Sequence, residues 1–313
     1  RENPNAPVEE RINTSDNTHT LQAFAQWQYK PYNNITFNAG LHYLGLLLNN
    51  TNSIEPRASL KWDVDKKNSF AVGYGLHGQI QALGVYFAKT RTPEGNWIYS
   101  NKDLDLTKAH HYVLSYAHAF GKNLRFKAEL YYQHLFDVPV SVYDTSSFST
   151  LNIQGDYVTE PLTNQGKGRN YGIEISLEKY LSNNFYFLVN NSIYQSKYTA
   201  LDGIERNTRY NGNYTSNLTA GKDIVSKNGR RTFGANIKVI YAGGFRHSPI
   251  DLERSIDEGY TVIHDKEAFS LQNPAYFRTD LRLSIKWNRK NLPSTLSLDI
   301  QNVSNRENVY NQY

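Results

Sequence analysis

Leu124-Arg125-Phe126-Lys127-Ala128-Glu129-Leu130-Tyr131-Tyr132-Gln133 decides the architecture of this chain. Leu124, Phe126, Ala128, Leu130 and Tyr132 fall on one face of an extended strand, and Arg125, Lys127, Glu129 and Gln133 on the other, because side chains of a strand alternate across the sheet. A helix of period 3.6 would scatter the charges through the apolar side. Charges at every second position also exclude a strand buried on both faces. One face meets water and the other an apolar medium.

The same alternation spreads outward from this segment. Leu21, Ala23, Ala25, Trp27 and Tyr29 stand opposite Gln22, Gln26 and Gln28, and Ile35, Phe37, Ala39, Leu41 and Tyr43 form the next apolar face. Leu60 and Trp62 oppose Arg57, Ser59 and Lys61; Tyr171, Ile173, Ile175 and Leu177 oppose Glu174, Ser176 and Glu178. Leu281, Leu283, Ile285 and Trp287 oppose Arg282, Ser284 and Lys286. Two further runs span 233–241 and 296–300, and with weaker ones at 69–79, 110–120, 185–196 and 214–224 the expectation is an all-β chain of about twelve antiparallel strands.

The connections alternate in length. Tight turns are expected at 31–34, 63–67, 121–123, 182–184, 226–229 and 288–293, and longer loops at 84–106, 136–168, 197–213 and 243–273, with 49–53 the shortest of that second set. All tight turns then lie at one rim. A transmembrane β-barrel of the outer membrane sorts its connections in this way, with short periplasmic turns and long extracellular loops. Trp27, Trp62 and Trp287 fall on the apolar face just before tight turns, where an interfacial aromatic girdle would sit. The same Trp residues filling a soluble core beside turns is the competing reading.

Composition agrees. No run approaches the roughly 18 to 20 apolar residues of a spanning helix, so a membrane reading requires strands. A mean hydropathy of −0.64 is no objection when only alternate residues face lipid. Aromatics at 13% suit strands with one apolar face. The absence of Cys rules out a disulfide framework and thiolate metal sites. Met is also absent, for which the composition gives no physical reason. The formal charge of +5 is spread among acidic residues rather than clustered, so no nucleic-acid partner is expected. The chain opens Arg1-Glu2-Asn3-Pro4, so a signal peptide of a precursor is expected to lie outside it.

Several segments carry a family resemblance. Gly166-Lys167-Gly168-Arg169-Asn170-Tyr171-Gly172-Ile173-Glu174-Ile175-Ser176-Leu177-Glu178 resembles the strand that follows a long loop in TonB-dependent receptors with a carboxypeptidase-regulatory-like N-terminal domain. Asn191-Ser192-Ile193-Tyr194, Asp202-Gly203, Arg209-Tyr210-Asn211 and Gly221-Lys222 resemble the next hairpin, and Ile54-Glu55-Pro56-Arg57-Ala58-Ser59-Leu60 an earlier barrel strand. The resemblance implies a barrel of about 22 strands, of which this chain supplies the tenth to the twenty-first. Residues 1–17 would be a polar extracellular segment and 18–313 a partial barrel, without the plug, the TonB-contacting segment, the first strands or the closing strand. It further implies a bacterial outer-membrane location, contact with outer-membrane lipid, uptake of a scarce ligand (glycan, peptide or metal chelate) energised by the TonB complex, and a possible surface lipoprotein partner.

The chemical motifs are weak beside this reading. Gly73-Tyr74-Gly75-Leu76-His77-Gly78 matches the dinucleotide-binding pattern in letters, but it continues a strand and no helix follows. Small inward residues at Gly73 and Gly75 instead let another chain segment approach the wall. His110 and His111 point to opposite faces and cannot share a metal, and His42, His77, His118 and His134 are dispersed over separate strands, so no metal or cofactor is expected. Hydrolysis needs a positioned His and carboxylate; His247 with Asp251 is the nearest local pair, and ordinary loop polarity accounts for it better. No catalytic residues and no enzyme activity are expected. Ligand binding falls instead to cations and aromatics of the long loops: Arg91, Trp97 and Tyr99; Tyr143 and Tyr157; and Arg246, His247 and Tyr260. The alternative function is a passive pore, because an even number of strands could close on itself; an outer-membrane hydrolase ranks third.

Overall fold

The computed structural model describes residues 12, 17–92, 94–155, 157–289 and 292–309. Its strands and helices are, in order, β1 (Thr20–Tyr32), β2 (Ile35–Leu46), β3 (Thr51–Asp63), β4 (Asn68–Gln79), α1 (Leu83–Tyr86), β5 (Lys89–Arg91), β6 (Trp97–Tyr99), β7 (Thr107–Phe120) and β8 (Leu124–Ser141). There follow β9 (Leu162–Ser182), β10 (Phe185–Thr199), β11 (Glu205–Asn207), β12 (Tyr214–Val225), β13 (Arg231–Ala242), β14 (Arg246–His247), α2 (Leu252–Glu258), β15 (Leu271–Gln272), β16 (Tyr276–Trp287) and β17 (Ser294–Ile300). One sheet runs β1-β2-β3-β4-β7-β8-β9-β10-β12-β13-β16-β17, with β11 added beside β10. The twelve strands on that path are the twelve expected, each antiparallel to its neighbour, and the sheet is open between β1 and β17. Residues 1–11 and 13–16 of the expected extracellular segment lie outside the described residues.

Register carries one face through the whole sheet. Leu60 pairs with Val72, Val72 with Leu114, Leu114 with Leu130, Leu130 with Ile173 and Ile173 with Ile193, so five strands beyond β3 present an aliphatic row on the same side. The opposite side reads Arg57, Gly75, His111, Gln133 and Asn170 in register. Phe24 is an apolar member of the polar face, paired with His42.

The apolar row has nothing over it: Leu114 is 50% exposed, Leu130 51% and Ile193 65%. A soluble sheet would build its core on that face. Here the buried hydrophobic clusters lie elsewhere, at the long-loop end. An apolar face of this extent exposed to water would drive aggregation; facing acyl chains it costs nothing. No helix among the described residues is long and apolar enough to cross a membrane.

Two aromatic belts bound the apolar face. On the tight-turn side, Trp27 meets Phe37 at 6.0 Å, Trp62 meets Phe70 at 6.4 Å, and Phe70 meets Tyr116 at 4.9 Å. Toward the other rim, Tyr74, Tyr112, Tyr132 and Tyr171 form a ladder at 5.3, 6.5 and 6.5 Å. Such rings settle at the interface between hydrocarbon and water. At the tight turns, Asn183 (φ 52°) and Asn184 (φ 60°) both take the left-handed conformation that a two-residue hairpin loop requires.

The strands extend further outward than the sequence periodicity indicates. The loop expected from Phe136 to Gly168 spans only 142–161, because β8 continues to Ser141 and β9 begins at Leu162. The ladder shifts register between Leu135 and Val138 and again before Val140, and Asp137 has φ 54°. These bulges break the period of two and turn Val138 and Val140 into fully buried positions.

Candidate functional site

The long connections fold together into a cap at the outer rim. Leu46 at the end of β2 and Leu162 at the start of β9 bury against Val85 and Tyr86 of α1, Leu104, and Val158. A second cluster joins Val140, Tyr198 and Ala200, with Phe269 packed against it. Segments 80–106, 142–161, 200–213 and 243–275 thus share two small cores, which isolated polar loops could not form.

Polar ties fix the arrangement. Asn101, fully buried, donates to the Glu160 carbonyl at 2.9 Å and accepts from the Leu162 amide at 2.8 Å. Asn164 accepts from the Asp105 amide at 2.9 Å and donates to the Asp137 carbonyl at 2.8 Å. Asp265 accepts from the Ser147 amide at 2.7 Å, and its carbonyl accepts from Arg206 Nε at 2.9 Å. Arg206 is buried and pairs with Asp202, Nη1 to Oδ1 at 3.0 Å. Burial pushes the Asp202 carboxyl upward, but its hydrogen bonds from Arg206 and the Ile204 amide prevail and hold it below the usual carboxylate range.

The expected ligand-binding residues divide into two kinds. Arg91, Trp97 and Tyr99 come together on the β5–β6 hairpin: Arg91 pairs with Trp97 and lies 5.5 Å from its ring, while Lys89 lies 5.4 Å from the Tyr99 ring. Phe87 meets Tyr99 edge-on at 6.3 Å. Both rings remain partly exposed, so the hairpin presents two aromatic surfaces each backed by a cation. Tyr157 stands 70% exposed on the segment between β8 and β9, and Tyr143 is exposed on the same segment.

Arg246 is a tie within the cap. Its guanidinium donates to the Asn211 carbonyl at 2.9 Å, the Ser270 carbonyl at 3.3 Å and Asn213 Oδ1 at 2.9 Å. His247 pairs with Leu271 in the short β14–β15 ladder and its Nδ1 is buried. Tyr260 is exposed beyond α2. Asp251 caps α2, accepting from the Arg254 amide at 3.1 Å, and its Oδ2 lies 3.9 Å from His264 Nδ1. The carboxylate expected beside His247 is therefore engaged at a helix start.

Beneath the cap, on the lumen-facing wall, the structure gathers a cluster that the sequence reading dispersed. Glu55, only 1% exposed, accepts from the Gly78 amide at 2.7 Å and from Arg57 Nη2 at 3.0 Å, and lies 2.8 Å from His42 Nδ1. The rings of His77 and His111 stand beside it with their centroids 4.5 Å apart. His42, Arg57, His77 and His111 line a cavity of about 560 Å³, with Glu55 buried behind them. The signal was present: all five fall on polar-face positions of consecutive strands, but their common level needs the register. Among the described residues, no three His, Asp or Glu converge to hold a metal.

A family model described as TonB dependent receptor-like, beta-barrel, matches residues 1–303. No curated protein sequence matches the chain. Solved structures similar in fold include the ferric-catecholate import receptor Fiu of Escherichia coli K12 (TM-score 0.63, 14% identity, covering 94% of this chain and 41% of that one). The ferric yersiniabactin uptake receptor FyuA of Yersinia pestis gives a TM-score of 0.61 at 12% identity, covering 92% of this chain and 41% of that one. The ferripyoverdine receptor of Pseudomonas aeruginosa, solved with ferripyoverdine, gives 0.64 at 12%, covering 94% and 36%. The chain thus spans about two fifths of the length of these structures.

Proposed function

This chain belongs to the TonB dependent receptor-like β-barrel family of the bacterial outer membrane, and from that premise we infer that it forms the wall and outer mouth of an energised importer. The family comprises transporters and receptors and is not an enzyme family. The observation that carries the reading is the cap: four long connections share buried cores and hydrogen bonds at one rim, which makes a built recognition surface rather than an open channel mouth.

The ligand proposed is a metal chelate carrying aromatic or anionic groups. Trp97 and Tyr99 offer stacking surfaces, and Arg91 and Lys89 complement negative charge. The fold neighbours named for ferric chelates point the same way. Energy from TonB, delivered through a region outside this chain, would release the ligand past the lumen wall. A surface lipoprotein over the cap remains compatible with its exposed apolar side chains Leu252 and Ile256.

Transport by the full-length receptor tests this. Cells should accumulate a radio-iron-labelled chelate only while the inner-membrane gradient is intact, and the purified protein should be nearly silent in planar bilayers. Steady conductance without energy input would replace the importer with a passive pore.

A further inference from the structure

The outer face of the wall carries a second feature, on the side away from the lumen and outside the buried cores of the cap. Cap-ward of the tyrosine ladder, His110 pairs with His134, His134 with Arg169, and Arg169 with Lys197 on the lipid-facing side. One step further, Lys167 pairs with Thr199. Lys167, Arg169 and Lys197 therefore project from two adjacent strands where the lipid layer meets the exterior. Arg169 lies 2.7 Å from Glu205 Oε1 and 5.8 Å from the Tyr171 ring, and Lys197 donates to Asn207 Oδ1. Three cations against that single carboxylate leave an excess of positive charge. Lys108, on the same face of β7, is different: Asp105 and Asp137 each lie 3.2 Å from its Nζ.

Directly below the cations is a shallow outward groove of about 620 Å³, lined by Leu114, Leu130, Ile173 and Ile193 beneath Tyr132 and Tyr171. Arg169 and Ile173 are four residues apart on β9, about 13 Å along a strand. Cations, then an aromatic belt, then an aliphatic groove reproduce the order of phosphate headgroup, interface and acyl chain. A free phosphate would use the cations and leave the groove unexplained.

We propose that this face binds one phosphorylated glycolipid of the outer leaflet, its phosphate held by Lys167, Arg169 and Lys197 and its acyl chains lying in the groove. Guanidinium and ammonium groups grip phosphate through charge-assisted hydrogen bonds.

The test uses full-length receptor in detergent, incubated with diphosphoryl lipid A or its dephosphorylated form, with retained lipid counted by native mass spectrometry. Wild type should retain the diphosphoryl form about tenfold better. K167Q/R169Q/K197Q should lose the preference, Arg169→Lys should keep most of it, and K66Q/K67Q/K122Q, removing equal charge at the tight-turn rim, should leave it intact. Unchanged heat-modifiable mobility confirms folding; should the triple variant misfold, the single change Lys167→Gln at an exposed position should still weaken retention about threefold. Equal retention by wild type and a folded triple variant, equal loss in the opposite-rim control, or displacement by inorganic phosphate alone would each overturn the proposal.

Discussion

Leu130 and Lys127 are three residues apart and live in different solvents. Leu130 projects among Leu114 and Ile173, while Lys127 points to the lumen and pairs with Glu129 at 2.6 Å. Leu130→Arg should therefore cost roughly 2 to 4 kcal/mol of barrel stability, the penalty for Arg near the bilayer midplane, and Lys127→Gln should cost less than about 1 kcal/mol, since its pair with Glu129 is partly solvent-accessible. Urea unfolding in lipid vesicles reads both; equal effects would reject the face assignment. At the mouth, Trp97→Ala should weaken chelate binding about tenfold, since a partly exposed Trp is a typical anchor. Equilibrium binding to the intact receptor checks it, and unchanged affinity would move the site off the β5–β6 hairpin. The face of each barrel residue was readable because alternation in a strand is local. The lumen cluster was not: His42, Glu55, His77 and His111 are up to 69 positions apart in numbering, and only strand register sets them at one level.

At the scale of elements, the hairpin turns and the cap behave differently. Asn184 holds φ 60°, a conformation that costs a β-branched residue on the order of 1 to 2 kcal/mol. Asn184→Val should lower stability by about that amount and slow pairing of β9 with β10, measurable by the same unfolding and by refolding kinetics; an unaltered protein would mean the turn does not set register. In the cap, Asp202 is held below the ordinary carboxylate value, so its contribution is present above that value and is lost as pH falls through the depressed one. Hydrogen-exchange protection of segment 200–213, taken relative to the intrinsic amide rate at each pH, should fall below about pH 4, and Asp202→Asn should remove that pH dependence; a segment equally protected across the acid range would contradict the pairing. Periodicity located the twelve strands, but not where β8 and β9 end. The bulge at Asp137 resets the alternation, and beyond it the residues obey packing in the cap instead of lipid contact.

For the whole molecule, the inversion of the usual core is the governing fact. The apolar face of the sheet is left open, and the buried clusters sit over one rim. The sorting of short and long connections, the two aromatic belts and the row of aliphatic side chains all follow from one slab of hydrocarbon around the wall. Fold and orientation were legible because that slab imposes the same pattern on every strand. The ligand was not, because recognition depends on how distant loops pack on one another. The most direct test labels residues 126–133, one at a time, with a nitroxide on an introduced Cys in the full-length receptor reconstituted in lipid; this stretch supplies no Cys of its own. Collision with oxygen should peak at Phe126, Ala128, Leu130 and Tyr132, and collision with a water-soluble nickel chelate at Lys127, Glu129, Tyr131 and Gln133. A profile without that alternation, or with its phase reversed, would contradict the membrane-spanning wall.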